Sequence, residues 1–475
     1  MFLAIENKPK DKTALVDDTL SKFTYGDLKE FAIEFSGKLD KRNIVFIMST
    51  NTIGAVAGFY SCIENKSVPL LLSMDMDSQL LEKLMGIYQP PYIWCPLKMR
   101  NRFNGTCIWE KQEYCLLKTT YPKYEIHEEL SLLMTTSGST GSPKLVRHSY
   151  KNLYFSYKTV SEFFGFTSKD NGLVHLPMQY TMGLSVICSH LYAGAKVTLT
   201  DYNLMSVEFW NRFKKEGITD FTGVPFSYEV FDKLHFFRND LPGLRILAEG
   251  GGRLDDWLYR KVAEYADTYG KQFFATFGTT ETTARLAYLN PEMALDKIGS
   301  IGKAMPGGEL FLLDENGNEV RTAEGEGELV YAGANVTMGY AECKRDLLKG
   351  DELRGIYMTG DIAKRDKDGY YYIVGRIARF LKLYGLRVSL DQCERMLREN
   401  FQIDCACIGN DKYMQIFLTG EEDENKIIGY ISEKTHLPRE CFKSQRIDKI
   451  PRNDTGKILY KDLGVGQWDI RRKQN

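Results

Sequence analysis

Short apolar runs of strand length alternate with amphipathic helical stretches along most of the chain, and this alternation restricts the fold more than any other feature. Residues 43–48 (NIVFIM) read as a buried strand. Before them, Leu28, Phe31, Ala32, Phe35 and Leu39 fall at i, i+3, i+4, i+7 and i+11, one face of a helix, with Thr24 and Asp27 placed to cap its start. Residues 55–63 read as the next helix and 68–72 as the next strand. Further strands are expected at 197–200, 221–224, 245–248 and 273–277. The alternation predicts α/β layers with largely parallel sheets.

From about residue 307 the texture changes. Segments 309–314, 327–331 and 370–374 are short strands between turn signals such as Asp314-Glu-Asn-Gly-Asn318, which predicts a barrel-like antiparallel segment. A capping box at 389–392 (SLDQ) then opens a helix with Leu390, Cys393, Leu397 and Phe401 on one face, the start of a small α+β domain. The expected division is 1–377 and 378–475. A chain of 475 residues is long enough for both. Apolar residues at 43% and charged residues at 26% exclude a mainly disordered or fibrous chain, and a net charge of −1 gives no reason to expect a nucleic-acid partner. Ten scattered cysteines and six dispersed histidines show no zinc-ligand spacing. They point to free thiols, an apolar role for the cysteines and a cytoplasmic setting. The apolar start ends at Ile5, so no signal peptide is expected. Residues 171–195 hold no Asp, Glu, Lys or Arg, but His175, Gln179 and Pro177 interrupt them, so buried core elements are expected here and not a membrane span.

Four segments carry chemistry. Residues 132–146 (LLMTTSGSTGSPKLV) run from an apolar strand into small and hydroxylated residues, then Lys144. Small residues admit phosphate oxygens close to backbone N–H groups, hydroxyls add donors and the lysine adds charge. The segment is not a Walker A loop, because Pro143 stands directly before the lysine. Residues 273–281 (FFATFGTTE) end a strand in an aromatic, a glycine, two threonines and a carboxylate. There Phe277 suits a base, and Thr280 with Glu281 suit Mg²⁺, a hard cation that takes oxygen ligands. Asp361, in Met358-Thr-Gly-Asp361 ahead of Gly375 and Arg376, suits ribose hydroxyls. Lys457 follows Gly456 in a turn close to the end of the chain. Taken singly, these are a linker, a helix start, a turn aspartate and a solvated lysine.

In this order and spacing the four segments resemble the adenylate-forming superfamily: acyl-CoA synthetases, aryl and fatty-acyl ligases, and the adenylation domains of peptide synthetases. The resemblance extends to Gly299-Ser-Ile-Gly302, Gly325-Glu-Gly-Glu-Leu329, residues 335–340 (NVTMGY) and residues 375–388 (GRIARFLKLYGLRV). It implies ATP-dependent activation of a small carboxylic acid to an acyl-adenylate, then transfer to a thiol, either of CoA or of the phosphopantetheine arm of an acyl or peptidyl carrier protein acting in trans. By residue match, Lys457 would bridge the carboxylate and the α-phosphate, and Glu281 with Thr280 would hold Mg²⁺. Thr136, Ser137, Gly138, Ser139, Thr140, Gly141 and Lys144 would cradle the β- and γ-phosphates. Asp361 and Arg376 would hold the ribose, and Phe277, Gly278, Gly250, Gly251 and Gly252 would flank adenine. Tyr180, Thr181, Gly183, Val224 and Thr279 would line the acyl pocket. The small domain would rotate between half-reactions about a hinge at Ala378–Arg379.

The chain departs from the family pattern at Ala378, where Asp or Lys is usual, at Leu145, and at Tyr180, where a histidine often lines the acyl tunnel. No acid lies between Pro177 and Ala195, which disfavours an α-amino acid and leaves Glu249 as the remaining partner for an ammonium group; aryl or aliphatic acids are favoured. An amino-acid adenylating ligase that loads a carrier protein is the alternative reading, and a non-catalytic nucleotide-binding protein another. A nicotinamide oxidoreductase would need GxGxxG between a strand and a helix, and none is so placed. His148 is expected at the surface.

Overall fold

The computed structural model describes residues 2–463 apart from 136–143, 385, 411 and 454–455. Two units emerge, Met1–Glu309 with Tyr331–Tyr357, and Leu310–Val330 with Met358–Asn475.

The first unit is built on two large sheets. In one, strands Thr13–Val16, Lys196–Leu199, Asn171–Val174, Asp220–Gly223, Ile246–Glu249 and Gln272–Phe277 lie side by side in that order and run parallel. Antiparallel strands Ala287–Leu289 and Lys303–Ala304 extend it past Gln272–Phe277. In the other, Ile44–Ser49 pairs in parallel with Val68–Ser73 and Tyr92–Pro96, and Leu130–Thr135 joins Val68–Ser73. Strands Leu145–Ser149 and Tyr340–Ala341 complete that edge antiparallel. Ile44–Ser49 is buried at every residue, as continuous apolar strands covered on both faces must be.

Helices form where local chemistry starts them. Thr24 caps Tyr25–Ser36 through a reciprocal bond with Asp27, and Leu28, Phe31, Ala32 and Phe35 are buried on its inner face. Helix Ile53–Glu64 starts at a Thr52 cap and is buried through residues 53–63. The uncharged stretch 171–195 is the buried strand Asn171–Val174 followed by helix Thr181–Ala193. Among the described residues, no helix is long and apolar enough to cross a membrane.

In the second unit the expected antiparallel segment takes the form of a four-stranded sheet, Gly308–Leu313, Gly325–Gly333, Ile356–Arg365 and Tyr371–Arg376 in that order. Beyond it, helix Leu390–Phe401 starts at Ser389, whose side chain accepts from the Gln392 N–H. It packs into a core that includes Leu381, Cys393, Leu397, Cys407, Ile416, Ile427 and Phe442. A 3-10 turn, Ile377–Arg379, leads into these residues. Arg379 is fixed within them: its guanidinium meets Asp391 Oδ1 at 2.6 Å and Glu394 Oε1 at 2.5 Å, and lies 3.7 Å from the Tyr460 ring centroid.

Candidate active site

One group of candidate residues is set by a turn in the first unit. Strand Gln272–Phe277 ends in half-buried Phe277 and passes through Gly278 and Thr279 into the 3-10 turn Thr280–Thr282. The chain then returns antiparallel, with Ala287 opposite Phe277. The return passes so close to Gly278 that a Cβ there would stand 1.6 Å from the Ala284 carbonyl oxygen. Only glycine fits.

This turn is held from behind by residues 335–340. Asn335 Nδ2 donates to the Thr282 and Arg285 carbonyls, at 2.8 Å each, and its carbonyl accepts from Thr283 Oγ1. The Thr337 N–H donates to the Glu281 carbonyl at 2.9 Å. Tyr340 Oη donates to Glu281 Oε1 at 2.8 Å, and Lys144 Nζ lies 3.7 Å from the Tyr340 ring centroid. Glu281, Tyr340 and Lys144 thus form one half-buried cluster of a carboxylate, a phenol and an ammonium group. Burial first, and the Glu281 charge second, push the Tyr340 hydroxyl well above its usual range, so it remains a donor. Arg147, fully buried, fixes the strap in turn by donating to the Tyr340 carbonyl at 2.9 Å and to Glu352 Oε2 at 2.5 Å.

The sequence singled out Lys144 and Glu281 as candidates but gave Asn335 and Tyr340 no role, although both stand in the NVTMGY segment. Their positions in that motif were the available signal. His148 needs correction. It is fully buried in strand Leu145–Ser149, with Nδ1 3.3 Å from Thr283 Oγ1, and burial lowers its pKa to about 3. Thr136, Ser137, Gly138, Ser139, Thr140 and Gly141 lie outside the described residues.

Of the residues expected to line an acyl pocket, Val224 lies against the 250–252 turn, as does Met182, the neighbour of Thr181. A Cβ on Gly250 would stand 2.8 Å from Met182 Cε, and one on Gly251 would stand 3.3 Å from Val224 Cγ1. Tyr180, Thr181, Thr279 and Gly278 are half-buried, whereas Gly183 and Val224 are buried and Gly252 is exposed. Glu249, at the end of its strand, is 4% exposed and its Oε1 has no hydrogen-bond partner. Burial raises its pKa to about 8, only partly countered by Arg253. Burial thus favours its neutral form, which offers no fixed negative charge to a ligand.

This shift has a measurable consequence. The native state holds a proton that the unfolded chain releases above about pH 4.5, so stability falls as pH rises from there through about 8. Glu249→Gln should remove that slope. Thermal denaturation should show the variant gaining on the parent as pH rises from 5 to 8.5, by about 1–3 kcal/mol at the upper end. A gap that stays constant with pH would refute the assignment.

A separate group of candidate residues lies in the second unit. Asp361, 2% exposed, lies within strand Ile356–Arg365 opposite Arg376, whose Nε donates to Oδ1 at 3.2 Å. Oδ2 is buried and has no hydrogen-bond partner. Burial raises the Asp361 pKa to about 6 against the pull of Arg376. A buried carboxylate oxygen lacking a donor is suited to a ligand hydroxyl. Lys457 stands on a tight turn: its N–H donates to Asn453 Oδ1 and its carbonyl accepts from the Asn453 N–H, both at 2.9 Å. Desolvation of its ammonium, and then the like charge of Arg376, lower its pKa; because the residue as a whole is exposed, solvent moderates the effect.

The donor set suits Mg²⁺ carried by a nucleotide. Among the described residues, no three His, Cys, Asp or Glu side chains come together as a resident metal site. Glu281 next to Thr280 offers the single carboxylate with neighbouring oxygen that Mg²⁺ uses when phosphates supply further ligands.

Residues 2–341 match the family described as AMP-binding enzyme. A 2-succinylbenzoate–CoA ligase of Staphylococcus aureus (strain JH9) is 29% identical over 376 residues, 76% of this chain and 72% of that one. An oxalate–CoA ligase of Arabidopsis thaliana is 32% identical over 273 residues, 56% of this chain and 52% of its own. The solved structure of O-succinylbenzoate coenzyme A synthetase from Bacillus subtilis with AMP matches at TM-score 0.78 and 20% identity, over 97% of both chains. ATP-bound MatB from Rhodopseudomonas palustris matches at TM-score 0.78 and 20% identity, again over 97% of both.

Proposed function

The chain belongs to the AMP-binding enzyme family, and from that premise we propose that it is an acid–thiol ligase. It joins a carboxylic acid to the α-phosphate of ATP, releases pyrophosphate, and passes the acyl group from AMP to the thiol of coenzyme A. The observation that carries this reading is the cluster of Glu281, Tyr340 and Lys144 on a turn that residues 335–340 hold in place.

The first step brings one anion to another, so positive charge must be fixed close to both. Lys457 supplies it to the attacking carboxylate and the α-phosphate. Lys144 supplies it to the β- and γ-phosphates. Glu281 and Thr280 hold Mg²⁺, which when bound neutralises phosphate charge. Asp361 accepts from a ribose hydroxyl through the oxygen that lacks a partner, and Phe277 offers its ring to adenine. In the second step a thiolate attacks the acyl carbon and AMP leaves. Residues from 378 onward turn about Ala378–Arg379 between the steps. The acids in the relatives' names, 2-succinylbenzoate and oxalate, carry no ammonium group, in keeping with a substrate that is not an α-amino acid.

The test is pyrophosphate release with ATP, Mg²⁺ and a panel of carboxylic acids, with hydroxylamine to trap adenylates. Turnover with one class of acid, followed by thioester formation with CoA, is expected. A thioester formed only with a phosphopantetheinylated carrier protein would replace CoA as the acceptor. ATP binding without turnover on any acid would favour a non-catalytic nucleotide-binding role. Tyr340→Phe should keep the fold and weaken only the setting of Glu281. Half-saturation by Mg²⁺ should rise about 3- to 10-fold, the scale for one ordinary hydrogen bond, and an unchanged Mg²⁺ titration would exclude this role.

A further inference from the structure

We propose that Arg285 recognises a second carboxylate on the acyl substrate, so that the preferred substrate is a dicarboxylic acid. The inference rests on the ligase reading and deepens it.

Arg285 is 2% exposed and makes no ion pair among the described residues. Its Nη1 donates to Ser185 Oγ at 2.7 Å, its Nε has no partner, and its guanidinium lies 5.1 Å from the Phe164 ring centroid. One neutral hydroxyl and one ring face do not balance a buried charge, and a buried cation without a counter-ion is costly enough that proteins rarely keep one without use. Burial lowers its pKa to about 10, so it stays cationic at neutral pH.

The charge sits where the acyl chain should end. The Arg285 backbone lies against Gly278, since a Cβ on that glycine would stand 2.8 Å from the Arg285 Cα. Its partner Ser185 is on helix Thr181–Ala193, four residues past the pocket residue Thr181. Residues four apart share a helix face, so the hydroxyl that Arg285 binds lies about 6 Å further along that face than Thr181. Arg285 also borders a cleft shared with Ser156, Thr159 and Asn335, but that cleft is too narrow to admit a water molecule. On this proposal an anion would reach Arg285 from the side of Gly278 and Thr181. No acidic side chain lies between Pro177 and Ala195 to compete for it.

The experiment compares acids that differ only in the second carboxylate: butyrate with succinate, valerate with glutarate, benzoate with phthalate. For each pair, kcat/KM for adenylation and equilibrium binding are measured with the full chain, with Arg285→Met and with Arg285→Lys. We expect the parent to prefer the dicarboxylic member of at least one pair. In Arg285→Met that preference should fall about 30-fold, the scale of a hydrogen-bonded charge, and Arg285→Lys should restore part of it. The melting temperature of Arg285→Met should not drop, because methionine removes an unpaired buried charge. A parent that prefers monocarboxylic acids in every pair, or a dicarboxylic preference that survives Arg285→Met, overturns the assignment. So does a melting temperature that falls with the preference unchanged, which would make Arg285 structural. If no acid releases pyrophosphate, the ligase reading fails, and the binding ratios still decide Arg285 separately.

Discussion

Lys457→Ala should lower adenylation at least ~100-fold, the scale for removing one fixed group that stabilises developing charge, while thioester formation from pre-made acyl-adenylate survives. The turn around Lys457 is closed by backbone bonds with Asn453, so truncating the side chain leaves the loop in place. What disappears is an ammonium group already pressed by the like charge of Arg376. Such a group gains most when two anions arrive, which happens only in the first step. The two half-reactions are measured separately, as pyrophosphate release with acid and ATP, and as CoA thioester formation from synthetic adenylate. Equal loss in both would refute the division of labour.

Glu281→Gln should also cost at least ~100-fold in adenylation, and added Mg²⁺ should not restore it. Glutamine can still accept the Tyr340 hydroxyl and keeps the backbone bond from Thr337, so the turn should hold its shape. Only the negative charge is lost. Activity within a few-fold of the parent at ordinary Mg²⁺ would remove Glu281 from the metal-holding role. An unchanged melting temperature would show that the loss is chemical and not a loosened turn.

The alternating strands and helices were legible because each carries its own signal: unbroken apolar residues at 43–48, and the Thr24–Asp27 box before a one-sided helix. The chemistry-bearing side chains were legible as residue types next to strand ends. The contacts between them were not. Tyr340 stands 59 residues from Glu281 in sequence, and no local spacing says that one bonds the other. Arg285 carried no signal in the sequence, because burial is set by the helices packed over it. His148 was misplaced for a related reason: its strand lies between Leu130–Thr135 and Tyr340–Ala341 with both faces covered, so a polar residue there does not mark the surface.

Asn335 grips the 282–285 turn by its carbonyl oxygens, through groups that every amino acid supplies. Apart from the hydroxyls of Thr282 and Thr283, side chains on that turn are therefore not the means by which it is held. Residues 284 and 285, with Ser185 bonded to Arg285, would form a cassette whose identity can change while the nucleotide machinery stays put. A protein engineer could randomise these three positions and select for new acids, holding Asn335, Thr337 and Tyr340 constant. The same arrangement would let a lineage drift from one acid to another by single substitutions, without passing through an inactive ancestor.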